Sequence, residues 1–495
     1  MRRRKKMVLM LTAATALTAG MAMTSFAAWQ QEDGQWIYTD SSGNRVTDAW
    51  RQSGNNYYYL DSDGVMATDQ WVEDSYYVNE DGARVSNQWI YVEEGTDDAP
   101  NSDGGWFFLS ESGRTVTDGW QTINGNRYHF DSDGTMDYGW FTDDENLYYL
   151  GDENDGAMKT GWLALEWDED SSPEDGEVST VVTSGEMGEW FYFQENGRAV
   201  RATEDSYVSR RINGNRYYFD ENGVMATGWV EVADREEGDP TGISTLKYFG
   251  TEDQGQMTTG WRYLYDDPTD SDDDDFDYSP ATPSNATPSN AALPERDDFG
   301  DGAWYYFDGD GVPAYLSNEA DTLSDATTRI NGQNYFFDEY GRMQSGLLGF
   351  QLEDGSVLSA YFGADDSDGA MKRDRQTNVY DEDGERGTYY FNTSGSNRGG
   401  GYTGERNGYL YYNGKLVEAE DGEDIQVFQI GEQMYLVNES GRVQDRNRAY
   451  RADGEYRYEY DDGTIYYIDE DRERIGEVTE GERLPEIEFR EIYSL

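Results

Sequence analysis

The sequence predicts an all-β repeat protein, a β-solenoid of stacked β-hairpins with units of about twenty residues. Three observations predict it: one block recurs with fixed spacing, the tryptophans fall at that period, and the apolar residues are aromatic rather than aliphatic.

The block is clearest in three copies. Gly119-Trp120 leads through Asn124-Gly125 to Tyr128-His129-Phe130, Asp131-Ser132-Asp133-Gly134 and Met136. Ile212-Asn213-Gly214 leads to Tyr217-Tyr218-Phe219, Gly223, Met225 and Gly228-Trp229. Ile330-Asn331-Gly332 leads to Tyr335-Phe336-Phe337, Gly341 and Met343. Position, spacing and residue type recur together, which is the signature of a repeat architecture. Tryptophan follows the same beat, since Trp50 to Trp71 is 21 residues, Trp71 to Trp89 is 18, Trp120 to Trp140 is 20 and Trp140 to Trp162 is 22. Longer gaps, such as 31 from Trp89 to Trp120, hold acidic or Gly-rich insertions that read as extended loops. Degenerate copies continue to Trp304-Tyr305-Tyr306-Phe307, Met434-Tyr435-Leu436-Val437 and Ile465-Tyr466-Tyr467-Ile468.

Each unit reads as a small hairpin. Tyr-Tyr-Phe favours a strand, Asp-Ser-Asp-Gly is a turn whose Gly takes positive φ, and the strand expected to return carries Met66, Met136, Met158, Met225 or Met257. One such hairpin is too small to be stable alone, so neighbours must stack and bury alternate aromatics between them. The supply fits: aromatics are 15% of the chain, with 40 Tyr and 14 Trp, while Leu, Ile and Val are scarce. Most of these rings are therefore expected to pack rather than bind.

Four segments follow. Residues 1–27 have the layout of a secretory signal peptide: Arg2 to Lys6 are basic, Met7 to Met23 apolar, and Ser25-Phe26-Ala27 offers a cleavage site. Residues 28–265 form a Trp-rich hairpin array. Residues 266–298, with the acidic run Asp272 to Asp275 and then Pro280, Pro283 and Pro288, read as a linker without a core. Residues 299–495 form a degenerate array with Trp304 and no tryptophan after it.

Charge narrows the partners. Net charge is −63, and loss of the five basic residues with the leader takes it to −68. A field of that sign opposes nucleic acid and anionic lipid, and no other segment is apolar enough for membrane insertion after cleavage. With no cysteine, neither disulfides nor thiolate chemistry is available.

The unit Gly-Trp…Gly-x-x-Tyr-Tyr-Phe-Asp-x-x-Gly-x-Met-x-x-Gly-Trp resembles the cell-wall-binding repeats of Gram-positive surface proteins, which include choline-binding and glucan-binding modules. The resemblance runs from about Trp36 to about Ile468. It implies a hairpin superhelix with ligand sites between successive hairpins, and a secreted protein held non-covalently at the wall. In the choline-binding branch it implies a trimethylammonium group boxed by the Trp of Gly-Trp, a Trp opening the aromatic trio and a Tyr of the next repeat, with Met nearby. Trp50, Trp71, Trp89, Trp120, Trp140, Trp162, Trp229 and Trp261 match the first wall. Trp106, Trp190 and Trp304 match the second, with Trp36 a looser match; Tyr58, Tyr128, Tyr148 and Tyr217 are the candidate third; Met66, Met136, Met158 and Met225 are the candidate methionines. The second wall departs from the pattern at Arg127, Arg216 and Asn334. An arginine there would repel a quaternary ammonium and suit a sugar, which takes a flat ring face plus hydrogen-bond donors.

The expected partner is thus a cell-wall polymer or glycan, with choline as the alternative guest and a purely structural, protein-binding surface array as the alternative role. No cofactor is expected. Nor is catalysis: 101 carboxylates make chance pairs inevitable, His129 is the lone histidine, and no domain-sized stretch lies outside the repeats. Asp61-Ser62-Asp63-Gly64 and Asp131-Ser132-Asp133-Gly134 echo calcium loops but lack the twelve-residue spacing that ends in Glu, and turns need Asp without metal.

Overall fold

The computed structural model describes residues 27–96, 99–143, 146–166, 188–203, 206–250, 254–264, 302–365 and 367–495. The expected leader, apart from Ala27, and the whole of the expected linker lie outside them. The described residues are all-β, with a single 3-10 turn at Ile243–Thr245.

Two compact units divide the chain between Val200 and Arg201. The first is a series of two-stranded antiparallel hairpins, among them Ala49–Ser53 with Asn56–Leu60, Gln88–Val92 with Gly105–Leu109, and Gly119–Ile123 with Asn126–Phe130. The second opens with the same device at Val208–Ile212 with Asn215–Phe219, then builds wider sheets. Asp374–Tyr380 and Arg386–Phe391 start a five-stranded sheet, and Arg448–Ala452 through Arg474–Glu477 form a four-stranded one.

The hairpin itself is not the one expected from sequence. Its turn is Asn-Gly, not Asp-x-x-Gly. Asn124 and Gly125 have φ of 50° and 92°, Asn213 and Gly214 49° and 94°, and Asn331 and Gly332 48° and 88°. Two successive positive φ values make the tight turn whose twist matches that of the flanking strands. The Trp strand and the Tyr-Tyr-Phe strand therefore pair with each other, with Trp120 opposite His129 and Trp50 opposite Tyr59.

The Asp-x-x-Gly loop has a different job. Asp61 Oδ1 accepts the backbone N–H groups of Asp63 and Val65 at 2.9 and 2.8 Å, and Asp131 Oδ1 those of Asp133 and Thr135 at 2.9 and 2.8 Å. Asn79 and Asn438 do the same in their repeats, so the side-chain oxygen, not the charge, is what the turn needs. The acidic loops that echo calcium sites spend these oxygens on their own backbone. Among the described residues, no group of three or more His, Asp or Glu is arranged to hold a metal.

Beyond that turn the chain makes one bridge back, as at Phe130 with Met136, and then reaches the preceding hairpin. Met66 N–H donates to Trp36 O, Met136 to Trp106 O, Met158 to Arg127 O and Met343 to Trp304 O, each at 2.8 or 2.9 Å. This recurring stitch stacks hairpin on hairpin. A second contact locks it: the side chains of Met136, Met158 and Met225 lie directly beneath Gly156, Gly197 and Gly255 of the following turns.

The two flanks of the acidic, Pro-rich segment are strands of one hairpin, Gly260–Leu264 and Ala303–Phe307, with Trp261 opposite Tyr306. A long insertion at a hairpin tip is tolerated because closure entropy grows only slowly with length, about 0.6 kcal/mol per doubling.

The second unit ends with a feature no repeat predicts. From Val478 the chain runs back along its own stack: Glu482 N–H donates to Val427 O, Arg490 N–H to Leu347 O, and Ile492–Ser494 pairs parallel to Gly349–Gln351. Tyr493 closes the run, its ring 4.6 Å from that of Phe336.

Candidate aromatic binding corners

Because side chains alternate across a strand, Trp89 and Tyr91 share a face with Trp106 and Phe108 of the paired strand. Trp89 and Trp106 meet at 87° with centroids 6.5 Å apart, forming a corner rather than a stack. The next hairpin adds Tyr128, 4.9 Å from Trp89. The stitch from Met136 N–H to Trp106 O fixes the two hairpins in this register. All three rings are half-buried, and Tyr91, 59% exposed, stands beside Trp106 at 5.3 Å. Among the described residues no guanidinium or ammonium lies over these rings. The same perpendicular pair recurs at Trp162 and Trp190, 6.3 Å and 83°.

The neighbouring half-buried corners hold arginines. Trp50 stands 5.3 Å from Tyr76 of the next hairpin, and Arg84 lies over Tyr57, Trp50 and Tyr76. Trp50 Nε1 donates to Glu73 Oε2 at 3.0 Å. The reach of that carboxylate shows in Tyr59, where burial first and Glu73 second push the hydroxyl pKa up. Trp120 lies 4.9 Å from Tyr148, with the Arg127 guanidinium over its ring at 4.6 Å. His129 sits against Phe141 at 4.1 Å, and its Nδ1 is 2.5 Å from Asp137 Oδ2, so it packs in the row of aromatics.

Other candidates belong to the interior. Trp71 is 3% exposed, packed on Phe107, and Trp261 is equally buried, packed on Trp304 and Tyr335. Trp140 and Trp229 are buried against Phe191 and Tyr305. Tyr58, Tyr148 and Tyr217 are buried too. These expected walls keep the corner geometry but lie covered: Trp261 meets Trp304 and Tyr335 at 6.2 and 4.8 Å, much as Trp89 meets Trp106 and Tyr128. The candidate methionines are covered to different degrees. Met136 and Met225 are buried, Met66 and Met158 partly so, and all four pack under the glycine of the following turn.

Sequence reasoning overlooked Tyr57, Tyr76 and Arg84. The signal was present, because Arg84 stands where other repeats carry Met.

Burial also sets the electrostatics of the packed rings. Burial, then Asp152 and Asp155, raise Tyr149 beside Trp140 to about 12. Tyr77, against Trp71, is pushed up further by burial and by its hydrogen bond to Asp69.

Known repeat families match parts of this chain. Choline-binding repeats match residues 116–162, 209–237 and 46–84, and a putative cell wall binding repeat matches 28–44 and 299–312. Glucosyltransferase-S of Streptococcus mutans serotype c is 26% identical over 271 residues, which is 50% of this chain but only 16% of that enzyme. Among solved structures, CbpJ of Streptococcus pneumoniae TIGR4 is 19% identical over 79% of this chain and 100% of its own, with a TM-score of 0.35. The modular autolysin LytC of Streptococcus pneumoniae is 19% identical over 66% of this chain and 55% of its own, with a TM-score of 0.34. Repeat matches fall in both compact units, and the matched segments carry choline-binding and cell-wall-binding repeats.

Proposed function

We propose that this chain is a non-catalytic cell-surface protein that binds a cell-wall polymer or glycan at the aromatic corners between successive hairpins. The observation that carries the reading is the Trp89, Trp106 and Tyr128 corner, where three rings from two hairpins converge and remain half-open. Flat ring faces at right angles suit a sugar, whose C–H faces stack on one ring while its hydroxyls reach donors nearby. At the neighbouring corners the guanidinium groups of Arg84 and Arg127 lie over the rings themselves. Export by the N-terminal leader and non-covalent retention at the wall complete the reading.

Choline is the second reading at the Trp89 corner alone. There, among the described residues, no arginine lies over the rings, and converging ring faces attract a cation that donates no hydrogen bonds, with about 0.5–2 kcal/mol from each face.

Retention on purified Gram-positive walls tests both. Retention of the parent chain that is lost in Trp89→Ala/Trp106→Ala supports the proposal. Elution by soluble glucan favours the glycan and elution by choline the second reading. A parent chain that washes through, or a double variant retained as well as the parent, overturns it and leaves a structural array.

A further inference from the structure

The Trp50 corner and the Trp89 corner are built alike from equivalent positions. Trp50 corresponds to Trp89, Tyr57 to Trp106 and Tyr76 to Tyr128. They differ in the residue that stitches the next turn to them. At the Trp89 corner it is Met136, and at the Trp50 corner it is Arg84, whose backbone N–H donates to Tyr57 O at 2.8 Å. The stem of Arg84 lies under Gly113, as Met136 lies under Gly156. A thioether stops there. The guanidinium continues into the corner, with Cζ 4.3 Å from the Tyr57 centroid, 5.6 Å from Trp50 and 5.9 Å from Tyr76. Glu73, held at the rim by the Trp50 indole N–H, adds a negative charge. Ring faces from two hairpins and one carboxylate are the chemistry of a site for an organic cation.

We propose that Arg84 is a built-in guest: its guanidinium occupies the Trp50–Tyr57–Tyr76 corner and shuts external organic cations out of it. A tethered guest competes at an effective concentration of about millimolar or above, so a small free ammonium that binds weakly does not displace it. The corner is thereby closed to cations while the unplugged Trp89 corner stays open. Arg127, over Trp120 at 4.6 Å, achieves a similar occupancy from the paired strand. The inference rests on the proposed reading of these seams as guest sites, but its test does not require the natural guest.

The test is calorimetric titration of the full chain with tetramethylammonium chloride. Arg84→Met restores the residue type that other repeats use at this position, and Arg84→Lys keeps a cation. The Met variant is expected to take one more equivalent than the parent, the Lys variant no more than the parent, and Arg84→Met/Trp50→Leu to lose the added equivalent. Equal stoichiometry in parent and Arg84→Met, or a gain that survives Trp50→Leu, overturns the proposal. A measurement on the parent guards against a variant that fails to fold. Ring currents should move the Arg84 δ-methylene protons upfield in its NMR spectrum, and ordinary shifts there overturn the proposal. If the parent does not bind walls yet Arg84→Met gains its cation, the wall-binding reading falls and the plug stands.

Discussion

The Sδ atom of Met136 lies directly beneath Gly156, so close that a β-carbon on Gly156 would overlap it. The pair spans two repeats, and the same contact joins Met158 to Gly197 and Met225 to Gly255. Gly156 also has φ of 62°, where L side chains are strained. Gly156→Ala is expected to destabilise the first unit by about 2–4 kcal/mol, from overpacking and left-handed strain together. Adding Met136→Ala should recover part of that loss, since the two sites are in contact and their effects will not add. Urea unfolding followed by tryptophan fluorescence checks both; a neutral Gly156→Ala would contradict the lock.

Trp71 and Trp106 occupy the same repeat family yet should respond differently to truncation. Trp71→Ala empties a closed space beside Phe107 and should cost about 3–5 kcal/mol. Trp106 is half-buried, so Trp106→Ala should cost less in stability and more in retention on walls. Thermal unfolding and wall retention, measured on both variants, separate the two roles.

Asp131 serves its turn through one oxygen that accepts two backbone N–H groups. Asp131→Ala leaves both donors without that partner and should lower stability by about 0.5–2 kcal/mol, the scale of a lost cap. Asp131→Asn should be close to neutral, because Asn79 and Asn438 make the same turn. Equal losses for the two variants would point to charge rather than turn geometry.

Asp239 gives the second unit an acid-sensitive loop. Burial alone would raise its pKa, but the Ser244 hydroxyl and the N–H groups of Ser244, Gly242 and Thr241 outweigh that and hold it below the ordinary carboxylate value. A depressed folded pKa means stability present above the unfolded value, near 3.9, and lost as pH falls through the lower folded value. The stability gap between parent and Asp239→Asn should therefore be constant near neutrality and shrink in acid below about pH 4. Urea midpoints across that range check it, and a gap that widens in acid would reverse the sign.

Much was legible without coordinates. Asn-Gly flanked by alternating aromatics specifies a hairpin through local backbone sterics, so the all-β repeat followed from residues such as Asn124, Gly125 and Tyr128. The departure at Arg127 likewise marked a corner where an arginine meets an indole. One local reading failed because each turn was judged alone. Asp131 to Gly134 is as good a hairpin turn on paper as Asn124-Gly125, and only the stitch from Met136 to Trp106 shows which strands pair.

What the sequence by itself determined is the unit: its turns, its strands and the supply of rings, all set within some twenty residues by short-range sterics and side-chain hydrogen bonds. The tertiary structure decided which rings are covered. Trp71 and Trp89 carry the same local code, yet one is sealed on Phe107 and the other opens beside Trp106 and Tyr128. It also decided that residues 478–495 return along the stack to seat Tyr493 on Phe336. The physical reason is that burial depends on what the neighbouring hairpin presents across the seam, and that neighbour is fixed by stacking rather than by the residues beside the ring.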